Sequence, residues 1–436
     1  MTWIPIEHLL SQGRPPAHPV AVRGGVPIPF ACFQSDVAAA AALLAGCSRA
    51  ALACEDCYLF AVGLLALLHA GAEVLLPPNA QPGTLAELDI RVVDDALIAT
   101  APAGSCRFTR LDTERGKVVF HTSGSTGAPK LIEKRLWMLQ RESEALHSIF
   151  GSRLGAGPVL ATVSHQHLYG LAFRLLWPLA AGIPFDAVTD VVWETLLPKL
   201  RGGAVMVSSP AHLGRLAGID PVAASRRPSL IFSAGAPLTA EAAAAAGAIL
   251  GCLPTEMFGS TESGVIATRQ QANGNEAWTA LPDTEIRVDA EDRMVVRSPY
   301  VDDWQQTEDV IERLAGGFRF LGRADRIVKV EGKRVSLPAV EGALEALNLV
   351  AEAAVVALPG LPTRLGGLLV LTAEGRAQLS ALGPFQFNRL LRRSLSHRLE
   401  PAALPRLWRF GGALPIRAMG KRNDAVIAAL FGTAEP

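Results

Sequence analysis

The sequence predicts an α/β fold: a large N-terminal domain with mostly parallel sheets flanked by helices, followed by a small α+β C-terminal domain on a hinge. Three observations predict the layers. Short apolar runs ending in Ser, Gly or Pro alternate with helical stretches through most of the chain, as expected for strands buried on both faces of a parallel sheet. After about residue 280 the pattern changes to short strands separated by turn residues. Half of the 436 residues are hydrophobic and 19% are charged, enough to build a sizeable core.

Taken in order, SDVAAAAALLAG (residues 35–46) reads as a helix capped by Ser35 or Asp36 and stopped by Gly46. The apolar run over residues 58–76 carries His69, Gly71 and Glu73 and then meets two prolines. It reads as a helix to about Ala70 followed by a strand, not as a membrane span. The lone Cys54-Glu55-Asp56-Cys57 reads as the start of that helix, since zinc or redox use needs a second pair or a redox context. KVVFHTSG, VLATVS, AVMVSS and SLIFSAG are the next strands, with helices over 136–150 and 239–250 between them. Residues 285–288, 293–297 and 317–321 are short strands. A smaller unit begins near Gly322, with a helix from about Ser336, strands LVAEAAVVALP and GGLLVLT, and a helix over 383–399.

Lys plus Arg and Asp plus Glu are 41 each, so the chain is neutral, which argues against a protein that coats nucleic acid or an anionic membrane. Six cysteines in this length do not make a disulfide framework, and residues 1–16 lack a basic segment followed by an apolar one; a cytoplasmic location is expected.

The most informative segment is 118–130, VVFHTSGSTGAPK. Thr122, Ser123, Gly124, Ser125, Thr126 and Gly127 follow a strand and are closed by Lys130. Glycines let backbone N–H groups approach an anion, hydroxyls add donors, and Lys adds a point charge. A plain polar surface turn is the alternative. The nucleotide P-loop is excluded, because there a Gly precedes the Lys and Ser or Thr follows it, whereas Lys130 lies between Pro129 and Leu131. No complete Gly-x-Gly-x-x-Gly or Gly-x-Ser-x-Gly occurs either.

Residues 122–130 resemble the phosphate loop of the adenylate-forming superfamily: acyl- and aryl-CoA synthetases, luciferases and peptide-synthetase adenylation domains. The resemblance continues in order. Ser233-Ala234-Gly235-Ala236-Pro237-Leu238 is similar to the segment that cradles adenine, and Phe258-Gly259-Ser260-Thr261-Glu262 to the Tyr-Gly-x-Thr-Glu motif. Thr307-Glu308-Asp309 is similar to Thr-Gly-Asp, and residues 322–334, with Arg323, Asp325 and Gly332, to the hinge and the loop after it. Residues 414–421 are similar to the segment of the C-terminal catalytic lysine, here Lys421. The departures are Leu131 for Gly, Phe258 for Tyr and Glu308 for Gly; none removes a charged catalytic group.

The resemblance implies domains over 1–323 and 324–436, the second mobile and carrying Lys421. It implies ATP-dependent activation of a carboxylic acid to an acyl-adenylate with pyrophosphate release, then transfer to the thiol of coenzyme A or of a phosphopantetheine carrier protein. Glu262 suits Mg²⁺, which takes hard oxygens and few protein carboxylates. Thr261 can donate to the α-phosphate, Phe258 can pack on adenine, and Gly235, Ala236, Pro237 and Gly259 would line the nucleotide site. Asp309 and Arg323 suit the ribose hydroxyls. Ser164-His165-Gln166-His167-Leu168-Tyr169-Gly170-Leu171 is similar to the acyl-pocket segment, with His167 facing the acid; no Asp lies there to meet an α-ammonium group. Pro129-Lys130-Leu131-Ile132 is similar to short enzymes of bacterial aryl polyene and pigment pathways. A degenerate relative that only binds a nucleotide or acyl group is the alternative, and the presence of Lys130, Glu262, Asp309 and Lys421 favours the enzyme.

Overall fold

The apolar runs of the N-terminal part pair in parallel, because each is buried on both faces and is followed by a helix that returns the chain to the same edge. In the computed structural model, which describes residues 2–77, 79–102, 104, 106–123, 129–272, 277–330, 333–358, 363–396, 399–415 and 424–432, they form two sheets. The first has five strands in the order Arg91–Val93, Arg49–Leu52, Glu73–Leu76, Lys117–Ser123 and Pro129–Arg135. Four run parallel, and Pro129–Arg135 closes the edge antiparallel to Lys117–Ser123. The second has nine strands, with Val159–Ala161, Val205–Ser208, Leu230–Ser233 and Thr255–Ser260 parallel at its centre and Gly264–Arg269 turning back antiparallel. Val205–Ser208 and Leu230–Ser233 are buried at every position, as uninterrupted apolar runs require.

The helices follow the expected cues with two differences. Cys57–His69 is capped by the Asp56 carboxylate, which accepts from Tyr58 N at 2.9 Å and Leu59 N at 3.0 Å, and Gly71 turns the chain at φ 75°. Leu136–Phe150 and Ala240–Leu250 form as expected, the latter capped by Thr239. The first long helix, however, spans Phe30–Leu43 and not 35–46. Phe30 and Phe33 are buried, so packing adds a turn ahead of the Ser35–Asp36 signal, and Asp36 instead accepts from the Tyr58 hydroxyl at 2.5 Å. The last long helical stretch starts at Ala373, capped by Thr372, and runs to Leu395; Gly383 (φ 71°) divides it into two helices, the second beginning where the sequence expects one and ending at Leu395, short of 399, and the first not foreseen. Among the described residues no helix is long and apolar enough to cross a membrane.

Packing divides the chain into two units, Met1–Ile286 with Val296–Gln305, and Arg287–Val295 with Gln306–Pro436. The hairpin of Gln305–Leu314 and Gly317–Arg323 therefore groups with the C-terminal part, earlier than the 323/324 boundary expected from sequence. The second unit has its own core, in which Leu337–Glu345 and the Phe387–Leu395 helical turns cover the sheet of Val350–Leu358, Arg364–Leu371 and Leu407–Gly411.

Candidate active site

The hairpin made by Lys117–Ser123 and Pro129–Arg135 sets Thr122 opposite Lys130 and Ser123 opposite Pro129, so the intervening loop leaves from the carboxyl end of a parallel strand, where α/β sheets bind ligands. Gly124, Ser125, Thr126 and Gly127 lie outside the described residues. Lys130 reaches the nine-stranded sheet: its Nζ donates to Glu262 Oε1 at 3.2 Å, with the lysine 60% and the glutamate 35% exposed.

Glu262 and Thr261 occupy the tight turn between Thr255–Ser260 and Gly264–Arg269. The turn ties itself together. Ser260 N donates to Ser263 Oγ and Ser263 N to Ser260 Oγ, both at 3.1 Å, and Ser298 Oγ donates to Ser263 O at 3.1 Å. Two backbone positions require glycine. A Cβ on Gly259 would lie 2.1 Å from Gly264 O, and Gly264 itself sits at φ 68° against the Tyr300 ring. Burial alone raises the Glu262 carboxyl. Its own N–H, Lys130 and the Ser260 hydroxyl outweigh that and hold it below the ordinary carboxylate range, so it is ionised at neutral pH. Among the described residues no three His, Cys, Asp or Glu side chains form a metal site. A single carboxylate that shares a cation with substrate phosphates needs no such cluster.

Two residues beneath this turn escaped the sequence reading. Lys134 Nζ donates to the Glu262 carbonyl at 2.6 Å, and Glu142 Oε1 accepts from Val265 N at 2.9 Å; each is 3% exposed. A signal for Lys134 existed: it lies four residues after Lys130 in a strand, hence on the same face. Glu142 carried none, being one charge in an amphipathic helix.

The segment with Gly235, Ala236 and Pro237 follows the buried strand Leu230–Ser233, and Gly235 turns it at φ 96°. Buried Glu256 holds its end, accepting from Leu238 N at 3.1 Å and from Arg269 Nε and Nη2 at 2.8 and 2.9 Å. Phe258 packs edge-to-face on Trp278, with centroids 5.0 Å apart, and the Arg269 guanidinium lies 4.5 Å from the Trp278 centroid. Glu256, Arg269 and Trp278 were also not foreseen, since a long-range ion pair leaves no local pattern.

In the acyl-pocket segment the two histidines separate. His165 is fully buried, with Nε2 2.9 Å from Cys54 O and its ring against Phe60; burial, then the Arg174 charge, pushes it down to about 3, so it is a neutral packing residue. His167 is half-buried at the start of the next helical turn. Arg174, buried in an apolar helix of π type, donates to Val163 O at 3.1 Å, Thr189 Oγ1 at 2.5 Å and Asp186 O at 3.2 Å, which fixes the segment from below. Gly170 is obligatory, because a Cβ there would stand 1.9 Å from Ser164 O.

In the second unit, Asp309 and Arg323 face each other across the hairpin, Oδ1 to Nη1 3.9 Å. Asp309 N donates to Thr307 Oγ1 at 3.1 Å, and Thr307 Oγ1 to Met294 O at 2.8 Å. Gly332 and Lys421 lie outside the described residues, as does the Asp325 side chain. Burial raises Cys54 and pushes Cys57 up to about 11, so both thiols are protonated in the core, and Cys57 starts the helix Cys57–His69.

Residues 82–299 match the AMP-binding enzyme family, to which the chain belongs. It is 31% identical to a 4-coumarate–CoA ligase of Rhodobacter capsulatus over 323 residues, 72% of this chain and 76% of the relative. A 4-coumarate–CoA ligase of Cereibacter sphaeroides is 28% identical over 313 residues, 71% of each chain. ATP-bound MatB from Rhodopseudomonas palustris shares the fold with a TM-score of 0.83 at 18% identity, covering 98% of both chains. A benzoate CoA ligase from Burkholderia xenovorans does so with 0.79 at 18%, covering 98% of this chain and all of that one. The chain is thus an adenylate-forming carboxylate ligase: it activates a carboxylic acid with ATP to an acyl-adenylate and passes the acyl group to a thiol.

Proposed function

We propose that the acid is an aryl or related acyl carboxylic acid without an α-amino group, and that the first half-reaction uses Mg²⁺·ATP. The Lys130–Glu262 pair, 3.2 Å apart where two sheets present their strand ends, carries this reading. In the free protein each neutralises the other. When ATP arrives, Lys130 exchanges the carboxylate for phosphate oxygens, which frees Glu262 as a hard, ionised oxygen ligand. Mg²⁺, when bound, would neutralise charge on the phosphates as pyrophosphate leaves. Thr122, Ser123 and Thr261 supply hydroxyl donors, Phe258 packs against adenine, Asp309 accepts from the ribose hydroxyls with Arg323 beside it, and His167 faces the acid. Lys421 meets the carboxylate and α-phosphate, where charge builds on phosphorus in the transition state. The small domain, residues 324–436, turns about Asp325 after the adenylate forms and brings Gly332 to the path of the thiol.

The absence of an Asp between residues 164 and 173, together with aryl-CoA ligases among the relatives, supports the choice of acid. An anthranilate–CoA ligase of Pseudomonas aeruginosa matches at 29%, and a Pseudomonas fluorescens ligase that loads a prolyl-carrier protein matches over 36% of this chain, so coenzyme A and a carrier thiol are both acceptors to test. Six free cysteines, two of them deep in the core, suit the cytoplasm.

The test is pyrophosphate release over a panel of hydroxycinnamic, benzoic, fatty and amino acids, followed by thioester formation with each acceptor. Release with aryl acids and none with amino acids is expected. Nucleotide binding without release for any acid would establish the non-catalytic reading. On the same assays Lys421→Ala should slow adenylation by about 10²–10³, the effect of deleting one preorganised electrostatic contact, and spare transfer from a pre-made adenylate. Gly332→Leu should do the reverse; equal impairment of both steps by Lys421→Ala would defeat the two-conformation account.

A further inference from the structure

We propose that Lys134 and Glu142 are positioning residues for Glu262: buried side chains that hold the main chain on both sides of its carboxylate and tie it to the strand carrying Lys130. This inference rests on the reading of Glu262 as the carboxylate that meets Mg²⁺·ATP.

A carboxylate at the tip of a four-residue turn is aimed by its backbone. Here the backbone is gripped at two points by groups from outside the turn. Lys134 Nζ donates to the carbonyl of Glu262 itself at 2.6 Å, a charge-assisted bond. Three residues on, Glu142 Oε1 accepts from Val265 N at 2.9 Å. Between them Gly264 is pinned: a Cβ there would lie 2.6 Å from the Tyr300 ring and 3.1 Å from Glu142 Oε1.

Lys134 and Glu142 are each 3% exposed, and each meets a main-chain group of the turn. Burying two charges carries a large desolvation cost, which the main-chain groups they meet and the opposite charge of the other help to offset. Burial lowers the lysine and raises the glutamic acid, while each one's charge favours the charged form of the other; Glu262 and Asp302 add to the support of Lys134. What the two charged side chains provide and apolar ones lack is a donor for the Glu262 carbonyl and an acceptor for the Val265 amide.

The strand geometry divides the labour. Lys130 and Lys134 share one face of Pro129–Arg135. Lys130 is exposed and meets the carboxylate, a contact that substrate can displace; Lys134 is buried and meets the carbonyl, which no substrate competes for. The strand that carries Lys130 and the carboxylate turn, on different sheets, are thereby tied together through Lys134.

The experiment measures, on the full chain, calorimetric affinity for a non-hydrolysable ATP analogue with and without Mn²⁺, beside the melting temperature. Variants are Lys134→Met, the charge-balanced double variant Lys134→Met/Glu142→Gln, and Glu262→Gln as reference. The expected result is that both Lys134 variants lower the Mn²⁺-dependent gain in affinity by about 10–100-fold, the usual loss when a group that orients a metal ligand is removed, with metal-free binding unchanged. The double variant, free of buried charge, still unfolds cooperatively well above the assay temperature and still shows that loss. A double variant with the full wild-type Mn²⁺ gain would overturn the proposal and leave the pair a packing feature. If Glu262→Gln also kept the full gain, the reading of Glu262 would fall; a normal loss in Glu262→Gln beside an unaffected double variant would reject the positioning role alone.

Discussion

The Glu262 turn and the Asp309–Arg323 pair are both candidate nucleotide contacts, and they are built in opposite ways. The turn is fixed by its own serines, by Ser298, by two buried ionisable side chains and by two glycines that accept no Cβ. The pair stands on a hairpin in the other unit, with Arg323 46% exposed, 3.9 Å between the charges, and Thr307 bracing Asp309 from its own strand. A group that stabilises charge in the transition state must be in place beforehand, because reorganisation during the reaction would consume its effect. A group that only holds a sugar hydroxyl tolerates adjustment as substrate binds.

That contrast can be broken most directly at Glu262. Glu262→Gln should cut pyrophosphate release at limiting Mg²⁺ by about 10²–10³, with the fold intact in a melting scan. Retention of activity at limiting Mg²⁺ would remove the turn from the catalytic site. Next in size is the backbone itself. Gly259→Ala drives a methyl group toward Gly264 O, 2.1 Å away, and should cost about 1–3 kcal/mol in urea unfolding as well as lowering activity. A variant as stable as the parent would mean that the turn gives way. Asp309→Asn sharpens the other side. It should raise the KM for ATP about tenfold, from the ~1.5–3 kcal/mol of a hydrogen bond to a charged group, while leaving melting and the chemical step nearly untouched.

The smallest effect is a pH dependence. His165 is held neutral down to about 3 by burial and then by the Arg174 charge, and burial lowers His69 to about 4. An unfolded histidine takes up its proton near 6.5, so the unfolded state binds more protons between that value and the folded one. Stability from these residues is complete above about pH 6.5 and is lost as pH falls toward 4 and then 3, by up to ~1.4 kcal/mol per pH unit for each. His165→Gln should therefore flatten the decline of melting temperature below pH 6.5. The Glu262 carboxyl acts lower: its folded value is depressed, so its contribution persists above the ordinary carboxylate range and fades only as pH falls through the folded value. An unchanged slope in His165→Gln would reassign acid sensitivity to other groups.

The sequence alone was enough for the α/β class, the parallel strands and most helix ends, because periodicity, caps and glycine stops are local and strong: Asp56, Thr239 and Ser336 all cap where a sequence reader would put a cap. It also offered Lys130, Glu262, Asp309 and Arg323 as candidate site residues through their spaced motifs. It misplaced the start of Phe30–Leu43, where buried phenylalanines outweigh a capping signal, and missed the helix that precedes the Gly383 break. Only the tertiary structure decided that Lys130 meets Glu262 across 132 residues of chain, that His165 is packing and not pocket, and that Lys134 and Glu142 lie beneath the carboxylate turn. The physical reason is that a single buried charge in a strand or helix looks like any solvated one until the element that covers it, more than a hundred residues away in the chain, is known.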